Sequence, residues 1–301
     1  MTLERLNNGE VNMPIKIIVA EPHGYCGNDK FGVAGAIKIA QDTAQQYPGQ
    51  TYILGEIVHN QHVVDWLAEK YGVKTVHNLA EIPQGETVVI RAHGAVPQTY
   101  TEAEERGLHV VDATCPLVKR AHHDVKILAA QGKKIIYIAS ALDHDEAIGV
   151  AGEEPEAVAL TTLKELDKVE IQDPGKTVIL TQTTLSILET KERLAGLKEK
   201  HPSLEIKPHI CMATTQRQEA VIKLAKEIGF VIVVGHPTSS NSNRLREVAE
   251  AVGATAYIVD TAEELNPDWF KGIGQMGVTS GASTPEWILD EVIKTIKEIT
   301  P

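Results

Sequence analysis

The sequence predicts an α/β protein of three small lobes with mostly parallel sheets, arranged with pseudo-threefold symmetry around a central site. Apolar strand-like runs alternate with helical patterns along the chain, which is typical of parallel βα units. The chain has three cysteines, Cys26, Cys115 and Cys211, at steps of 89 and 96 residues, each between a strand-like and a helical run. In 301 residues this recurrence indicates three repeated units rather than the two domains that length alone suggests.

The lobe boundaries follow the cysteine recurrence. We predict a polar N-terminal lead-in at 1–14, a first lobe at 15–114, a second at 115–207 and a third at 208–301. The strand predicted at 15–20 leads toward Cys26. It is placed in the first lobe, with pairing in the third lobe as the alternative. Helices are predicted at 119–131 and 215–229, after the second and third cysteines.

Two further apolar strands in each lobe end in polar residues. These strand ends are His59 and His93 in the first lobe, His144 and Thr183 in the second, and Ser240 and Ser283 in the third. In open parallel sheets, ligands bind beyond the carboxyl ends of the strands. Three such edges turned toward one axis predict a single central site that combines cysteines with polar clusters.

Charge and composition exclude several classes of partner. The 41 acidic and 29 basic residues give a net charge of −12, which repels nucleic acid and acidic membranes. No apolar run approaches the ~18 residues of a membrane span, and the N-terminal segment carries no signal or transit pattern. Three cysteines without a C-x-x-C pair suit a reducing compartment. We therefore predict a cytoplasmic protein with neither a membrane nor a nucleic-acid partner.

Three thiolates from three lobes can bind one metal centre. A zinc ion would be coordinated by the three thiolates together with a fourth ligand or water. In a cubane iron–sulfur cluster, the three thiolates would each coordinate one iron, and the fourth iron would remain open. The alternative is three unrelated buried cysteines, since free cysteine packs as a small hydrophobe. The shared position of all three at a strand-to-helix turn favours a metal centre, because a helix N-terminus stabilises thiolate.

The polar strand ends have the composition of a phosphate site. Neutral imidazoles, hydroxyls and an amide offer many hydrogen bonds without a lysine. The candidate phosphate-binding residues are His59, His93, His144, Thr183, Ser239, Ser240, Asn241 and Ser283. The helix after Asn243 can add backbone N–H donors, although a Ser-Ser-Asn run is also a common helix cap. Among these strand-end residues, Glu146 is the only carboxylate positioned as a proton donor beside His144.

Several motifs in this order resemble 4-hydroxy-3-methylbut-2-enyl diphosphate reductase, the IspH/LytB family. The motifs are VDATCPLV at 111–118, IVHN at 57–60, AHG at 92–94, TQTT at 181–184, RQEA at 217–220, SSNSNRL at 239–245 and GAS at 281–283. The resemblance spans nearly the whole chain from about residue 15.

The resemblance implies the last step of the non-mevalonate (MEP) isoprenoid pathway. The allylic diphosphate substrate would lose its 4-hydroxyl as water, giving isopentenyl and dimethylallyl diphosphates. A [4Fe–4S] cluster with one open iron would be held by Cys26, Cys115 and Cys211. Glu146 would be the proton source with Thr183 beside it. The diphosphate would be held by His59, His93, Ser239, Ser240, Asn241 and Ser283, with His144 nearby. A ferredoxin- or flavodoxin-type protein would donate the electrons.

This sequence departs from the family pattern at two places. Between Cys26 and Val33 it has about four extra residues, and His23 stands where the family has arginine. Asp145 replaces the proline of the usual His-Pro-Glu, which is expected to shift the acidity of Glu146. Cys26 is still expected to be a ligand, because the chain has no other cysteine to replace it.

Three other functions are compatible with this scaffold. A quinolinate synthase-like enzyme has the same general design of three lobes, three cysteines and one open cluster, but its motifs differ. An iron–sulfur redox sensor or phosphometabolite-binding protein would use the same residues without catalysis. A hydrolase with a three-cysteine zinc leaves the cluster of hydroxyls unexplained.

Overall fold

The computed structural model describes residues 15–300, so the predicted lead-in at 1–14 lies outside the described residues. Within that range the chain forms twelve strands and nine α-helices. The strands are β1 (Lys16–Val19), β2 (Thr51–Leu54), β3 (Lys74–Val76), β4 (Thr87–Ile90), β5 (His109–Asp112), β6 (Lys134–Ala139), β7 (Val158–Thr162), β8 (Thr177–Thr181), β9 (Glu205–Lys207), β10 (Phe230–Val234), β11 (Thr255–Val259) and β12 (Gln275–Ser280). The helices are α1 (Gly32–Gln46), α2 (Gln61–Tyr71), α3 (Pro97–Glu105), α4 (Pro116–Ala130), α5 (Asp145–Ala151), α6 (Ile187–Lys200), α7 (Met212–Ile228), α8 (Ser240–Ala251) and α9 (Glu286–Ile299).

The strands form three four-stranded sheets with the same internal order. The orders are β3-β2-β4-β5, β7-β6-β8-β9 and β11-β10-β12-β1, and every pairing is parallel. In each sheet the first strand lies between the second and the third. The chain therefore adds its second strand on one side of the first strand and its third strand on the other side, while all strands stay parallel. Such a change of side opens a crevice at the carboxyl ends of the first and third strands. The predicted three-part α/β fold is confirmed.

Among the described strands, β1 joins a sheet whose other strands are far from it in sequence. It pairs with β12 over the whole register from Lys16 with Gln275 to Val19 with Val278. It therefore takes the fourth place in the third sheet, which β5 and β9 take in the other two. This is the alternative pairing predicted for the strand at 15–20. The lobe boundaries at 15–114, 115–207 and 208–301 remain a prediction.

Each sheet is buried on both faces. Alternate residues of β6 belong to two different hydrophobic clusters: Ile135 and Tyr137 face one, and Ile136 and Ile138 face the other. The first and third sheets divide in the same way. A strand buried on both faces reads as a continuous apolar run, which is the pattern that the sequence presents. Among residues 15–300, no helix is long and apolar enough to cross a bilayer.

Helices α4 and α7 begin directly after Cys115 and Cys211, whereas α1 begins at Gly32, six residues after Cys26. Helix α4 begins at Pro116 and α7 at Met212, each three residues earlier than predicted. The N-cap residues are Cys115 and Cys211 themselves, and proline at the first helical position of α4 needs no N–H partner. The first turn of α7 has no large buried apolar residue, whereas Val118 is already buried in the first turn of α4.

Candidate active site

One cavity lies where the carboxyl ends of the three sheets meet. All twelve predicted site residues line it: Cys26, Cys115, Cys211, His59, His93, His144, Glu146, Thr183, Ser239, Ser240, Asn241 and Ser283. The cysteines follow the fourth strand of each sheet, whereas the polar residues follow the first and third strands. The repeated strand order therefore brings residues more than 250 positions apart in sequence to one place.

The three cysteines line one end of the cavity, which we call the cysteine end. All three are free thiols. Cys115 and Cys211 lie close enough to Cys26 for their charges to raise its pKa. Backbone N–H groups at helix starts donate to the sulfurs. Val33 donates to Cys26 Sγ at 3.4 Å, and Thr214 donates to Cys211 Sγ at 3.3 Å.

Burial and hydrogen bonding act in opposite directions on these thiols. Burial is the largest influence and raises the pKa of Cys26 and of Cys115. Helix-start amides lower the pKa in both cases, including the N–H groups of Leu117 and Gly32 at Cys115, and the charge of Arg217 lowers the pKa of Cys26. Amide donors aimed at sulfur favour the thiolate, which is the form that binds metal.

The residues inserted after Cys26 form a tight, exposed turn. Asn28 and Phe31 exchange two backbone hydrogen bonds of 3.1 Å. Gly27 and Gly32 lie on either side of the turn at φ of +85° and +73°, and a Cβ on Gly27 would meet the Phe31 carbonyl oxygen at 2.0 Å. Because the turn is exposed while Cys26 lines the cavity, the insertion extends outward.

Arg217, to which the sequence analysis assigned no role, lowers the pKa of Cys26 through its charge. Its guanidinium donates to the carbonyl oxygens of His23 at 3.4 Å, Gly24 at 2.8 Å and Tyr25 at 3.1 Å. The residue is 4% exposed, so it ties α7 to the loop before Cys26. Arg217 belongs to the RQEA motif of the family resemblance. Its position in the predicted helix that follows Cys211 was the sequence signal that could have pointed to it.

Glu146 lines the cavity and is buried. Its Oε2 accepts a hydrogen bond from Thr183 Oγ1 at 2.7 Å, and its Oε1 accepts one from Thr183 N at 2.8 Å. Tyr137 O–H donates to the same Oε1 at 3.1 Å, a contact that the sequence did not indicate. Burial raises the pKa of Glu146, and these hydrogen bonds lower it by less. A carboxyl group with a raised pKa is suited to donate a proton near neutral pH.

Three histidine rings form a cluster next to Glu146. The rings of His59 and His93 stack at 4.0 Å, and the edge of His144 lies 5.2 and 5.7 Å from them. Burial lowers the pKa of His93 well below its usual value and that of His144 to about 3, so both are neutral. His59 Nδ1 lies 3.6 Å from the Glu56 carboxylate. The Gln182 amide, another residue the sequence did not single out, lies 3.1 Å from His144 Nε2.

Asp145 is not among the main influences on the pKa of Glu146. Its carboxylate pairs with Arg91 at 2.6 Å, and its other oxygen lies 3.8 Å from His59 Nε2. Burial, Thr183, Tyr137 and His59 account for the pKa of Glu146 instead. Consecutive residues at a helix start point in different directions, so adjacency in sequence did not place the two carboxyl groups together.

The opposite end of the cavity carries hydroxyl and amide groups at the start of α8, and we call it the polar end. Ser239 is the N-cap of α8, and Ser240 Oγ lies 3.1 Å from Thr184 Oγ1. Asn241 Oδ1 accepts the N–H of Ala282 at 2.9 Å. Ser283 Oγ lies 3.4 Å from Ser239 Oγ. A helix N-terminus with added hydroxyl donors is a common anion site.

Several buried donors at the polar end have no partner among the described residues. They are His59 Nε2, His93 Nδ1 and Asn241 Nδ2. A buried polar atom without a partner costs ~1–3 kcal/mol, so such atoms in a cavity indicate a ligand that satisfies them. Since imidazole and amide N–H groups and helix-start amides are all donors, the cavity fits an anion with many acceptor oxygens.

A second group of possible metal ligands lies among the polar residues of the cavity. Among residues 15–300, one ligand atom each from His59, His93 and Asp145 lies within 4.8 Å of the other two, but Arg91 already neutralises the Asp145 carboxylate.

Three parallel sheets around one cavity with a cysteine end and an anion-binding end define a three-lobed α/β enzyme. The LytB protein family matches residues 17–297, and the chain belongs to this family. The family resemblance drawn from the sequence motifs is confirmed.

Two similar sequences and one solved structure are diphosphate reductases by name. The 4-hydroxy-3-methylbut-2-enyl diphosphate reductase of Neisseria meningitidis serogroup C is 44% identical over 286 residues, covering 93% of this chain and 87% of its own. That of Mycolicibacterium vanbaalenii is 42% identical over 287 residues, with coverage of 94% and 83%. The solved E-1-hydroxy-2-methyl-but-2-enyl-4-diphosphate reductase of Plasmodium falciparum superimposes with a TM-score of 0.87 at 31% identity, covering 94% and 88%.

Proposed function

We propose that the protein is a 4-hydroxy-3-methylbut-2-enyl diphosphate reductase and that it acts last in the non-mevalonate isoprenoid pathway. The C4–O bond of the allylic substrate breaks, and two electrons and two protons convert the hydroxyl to water and the carbon chain to isopentenyl or dimethylallyl diphosphate. One observation carries this proposal: a single cavity joins a three-cysteine end to an anion-binding end, with the protonatable Glu146 between them.

Cys26, Cys115 and Cys211 are the proposed ligands of one [4Fe–4S] cluster with an open iron. When bound, the cluster would supply electrons and a Lewis-acidic position for the substrate hydroxyl. Helix-start amides and Arg217 help to hold the thiolates in the required form. The assignment is supported by the equivalent origin of the three cysteines, one after the fourth strand of each sheet, and by their shared place in the lining of one cavity.

The diphosphate is proposed to bind at the polar end. Donors for its oxygens come from His59, His93, Ser239, Ser240, Asn241 and Ser283, with His144 nearby. His93 and His144 are neutral, so they orient oxygens by hydrogen bonding rather than by charge. The N-terminus of α8 adds a partial positive charge, which offsets the net charge of −12 locally. Anchoring the diphosphate there directs the hydroxyl end of the substrate toward the cysteine end.

Glu146 is proposed to hand a proton to the departing oxygen, with Thr183 aligning it. Thr183 contacts both carboxyl oxygens through its hydroxyl and its amide, which fixes the plane of the carboxyl group. Burial keeps the proton on Glu146 at higher pH than usual by raising its pKa. Tyr137 O–H adds a third hydrogen bond, to the same Oε1 that accepts from Thr183 N. The electrons are proposed to come from a ferredoxin- or flavodoxin-type donor in the cytoplasm.

Anaerobic reconstitution with iron and sulfide tests the proposed function. The protein should bind about four irons per chain and show the visible absorption of a brown iron–sulfur cluster. With dithionite-reduced methyl viologen as electron donor, it should convert hydroxymethylbutenyl diphosphate to both five-carbon products. Mass spectrometry of the products provides the measurement. A protein that carries a full cluster and yields neither product would refute the proposed reaction.

A further inference from the structure

Two histidines face one carboxylate where the first sheet meets the third. His62 lies in the first turn of α2, and its Nε2 is 3.2 Å from Asp260 Oδ2. His236 follows β10, and its Nε2 is 4.0 Å from the same oxygen. Asp260 itself follows β11, the strand that pairs with β10. We call these three residues the histidine–aspartate cluster, and none of them lines the cavity.

The hydrogen positions in the cluster follow from the neighbouring groups. A carboxylate only accepts hydrogen bonds, so His62 Nε2 carries the hydrogen that it donates to Asp260. His236 Nδ1 accepts the N–H of Thr238 at 3.3 Å, so the hydrogen of a neutral His236 lies on Nε2, toward Asp260. The Asp260 side chain is 16% exposed, and its Oδ1 is buried without a hydrogen-bond partner among the described residues. A carboxylate in this position depends on the imidazoles beside it.

Each histidine of the cluster is joined to a segment that carries proposed diphosphate donors. His62 comes three residues after His59, at the start of α2. The carbonyl oxygen of His236 accepts the N–H of Ser239, the N-cap of α8, at 3.0 Å. Asp260 therefore connects the backbone segment of His59, from the first sheet, to that of Ser239, from the third.

Two further contacts join the start of α2 to the third sheet and its helices. Ser283 Oγ donates to the carbonyl oxygen of His59 at 3.1 Å. The ring of Trp66, four residues after His62, lies 5.7 Å from that of Trp287 at the start of α9. Residues four apart lie on the same face of a helix, so α2 turns one face toward the third sheet. The histidine–aspartate cluster is the charged contact on that face.

Glu56 provides a second connection between His236 and His59. Its carboxylate lies 3.6 Å from His59 Nδ1. His59 is the largest influence on the lowered pKa of Glu56, burial opposes it, and the charges of His236 and Arg91 lower the pKa further. His236 is therefore close enough to Glu56 to interact with it, and its ring lies between two carboxyl groups.

We propose that Asp260 is a positioning residue for the diphosphate site: by holding His62 and His236, it sets the distance between His59 and Ser239. This inference rests on the proposed function, which puts the diphosphate at the polar end. Donors that are held in place before the ligand arrives bind it more tightly, because less ordering is needed on binding. Asp260 is negatively charged, so its direct effect on a diphosphate is repulsive. Positioning and direct repulsion therefore predict opposite results when the charge is removed.

Asp260→Asn tests that sign in the reconstituted holoenzyme. Asparagine keeps the size of the side chain and removes its charge. The positioning role predicts that KM for hydroxymethylbutenyl diphosphate and the calorimetric Kd for inorganic pyrophosphate rise about five- to tenfold, since a donor that is displaced forfeits a charge-assisted hydrogen bond. The kcat with dithionite-reduced methyl viologen should stay within about twofold of the parent value, because the cysteine end and Glu146 are untouched. Iron content and the absorption spectrum should not change.

Asp65→Asn is the matched control. Asp65 is an exposed carboxylate on the same helix as His62, and it accepts a hydrogen bond from Gln61 at 2.7 Å. Its substitution removes the same charge from the neighbourhood of the polar end without touching the cluster. Pyrophosphate should bind this variant as tightly as the parent or slightly more tightly, because an exposed charge is screened by salt.

Substitutions of His62 provide an independent test. His62→Leu should weaken pyrophosphate binding as Asp260→Asn does, whereas His62→Gln, which keeps an N–H donor near the position of Nε2, should recover most of the affinity. The double variant His62→Leu/Asp260→Asn should bind no more weakly than the weaker single variant, because the two residues act through one contact. Additive losses of affinity would contradict a shared role.

Failure of the positioning role and failure of the proposed function give different results. An active parent, together with an Asp260→Asn variant that binds pyrophosphate as tightly as the parent or more tightly, overturns the positioning role and leaves the proposed function standing. A cluster-loaded parent that is inactive with viologen refutes the proposed function, and the sign of the change in Kd then still decides the positioning role. A parent that binds no pyrophosphate overturns the positioning role in either case.

Discussion

The two ends of the cavity are built from different parts of the polypeptide. At the cysteine end, the backbone N–H groups that donate to the sulfurs come mostly from the helix that follows each cysteine, and Gly32 at the start of α1 also donates to Cys115. At the polar end, buried side chains from several strands meet and leave donors without partners among the described residues. The difference teaches that the proposed metal ligation depends mainly on repeated local geometry, whereas the proposed anion binding depends on how the lobes are assembled. Changes at one end should therefore leave the other largely intact.

The largest expected effect is the loss of one cysteine. Cys115→Ser should abolish turnover and lower iron content to well below the parent value, because one of three proposed ligands is removed. Binding of inorganic pyrophosphate, measured by calorimetry, should remain within about twofold of the apo parent, because the polar end is untouched. Retention of a full cluster would contradict the ligand assignment, and loss of pyrophosphate binding in a folded protein would contradict the independence of the two ends.

Replacing the carboxyl group between the two ends should affect chemistry alone. Glu146→Gln keeps the shape of the side chain and should lower kcat by about 10²–10⁴, with the cluster spectrum and KM little changed. In the parent, kcat should fall as pH rises through the raised pKa of Glu146, because the proton to be donated is then lost. A fully active Glu146→Gln would show that the proton comes from elsewhere.

The same carboxyl group predicts how stability depends on pH. The pKa of Glu146 is higher in the folded protein than in the unfolded chain, so the folded state binds the proton more tightly. Its contribution to stability is fully present below the unfolded pKa and is lost as pH rises toward the folded pKa. Urea unfolding of the apo protein should show a smaller loss of stability over this window in Glu146→Gln than in the parent. An identical pH dependence would contradict burial of an ionisable carboxyl group.

Arg217 connects the cysteine end to the third sheet, and its removal should have an intermediate effect. Arg217→Met leaves the carbonyl oxygens of His23, Gly24 and Tyr25 without their donor, which should cost about 1–3 kcal/mol in apo-protein unfolding. The cluster should also be lost faster in air, measured by the decay of its absorption. Arg193→Met serves as the control, since that residue pairs with Asp167 at the surface. Equal effects of the two substitutions would argue against a role at Cys26.

The smallest effect is expected at Asp145. Asp145→Asn removes a negative charge 3.8 Å from His59 Nε2, so KM for the diphosphate substrate should fall by a few-fold at low salt, an effect that added salt should reduce. The kcat should change little, because Asp145 is not among the main influences on the pKa of Glu146. Asp167→Asn provides a surface control. A shifted pH profile of kcat in Asp145→Asn would restore the expectation that adjacent carboxyl groups influence each other.

Much of the candidate site could be predicted because its residues occupy equivalent local positions. Cys26, Cys115 and Cys211 each follow a strand and precede a helix, and the polar residues each follow an apolar strand, so a single repeated pattern located all of them. The roles of these residues remain proposals. The partners of Asp145 could not be predicted in this way, since Arg91 lies 54 positions away in sequence.

The amino-acid sequence by itself determined the α/β class, the threefold recurrence and the set of residues that line the cavity, because strand and helix periods and strand-end positions are local properties of the chain. Only the tertiary structure decided that β1 completes the third sheet, that Arg217 holds the loop before Cys26, and that Tyr137 supports Glu146. Two of these contacts join residues about 190 to 260 positions apart, and all depend on how buried groups find partners once the lobes are assembled. A local pattern does not encode that choice.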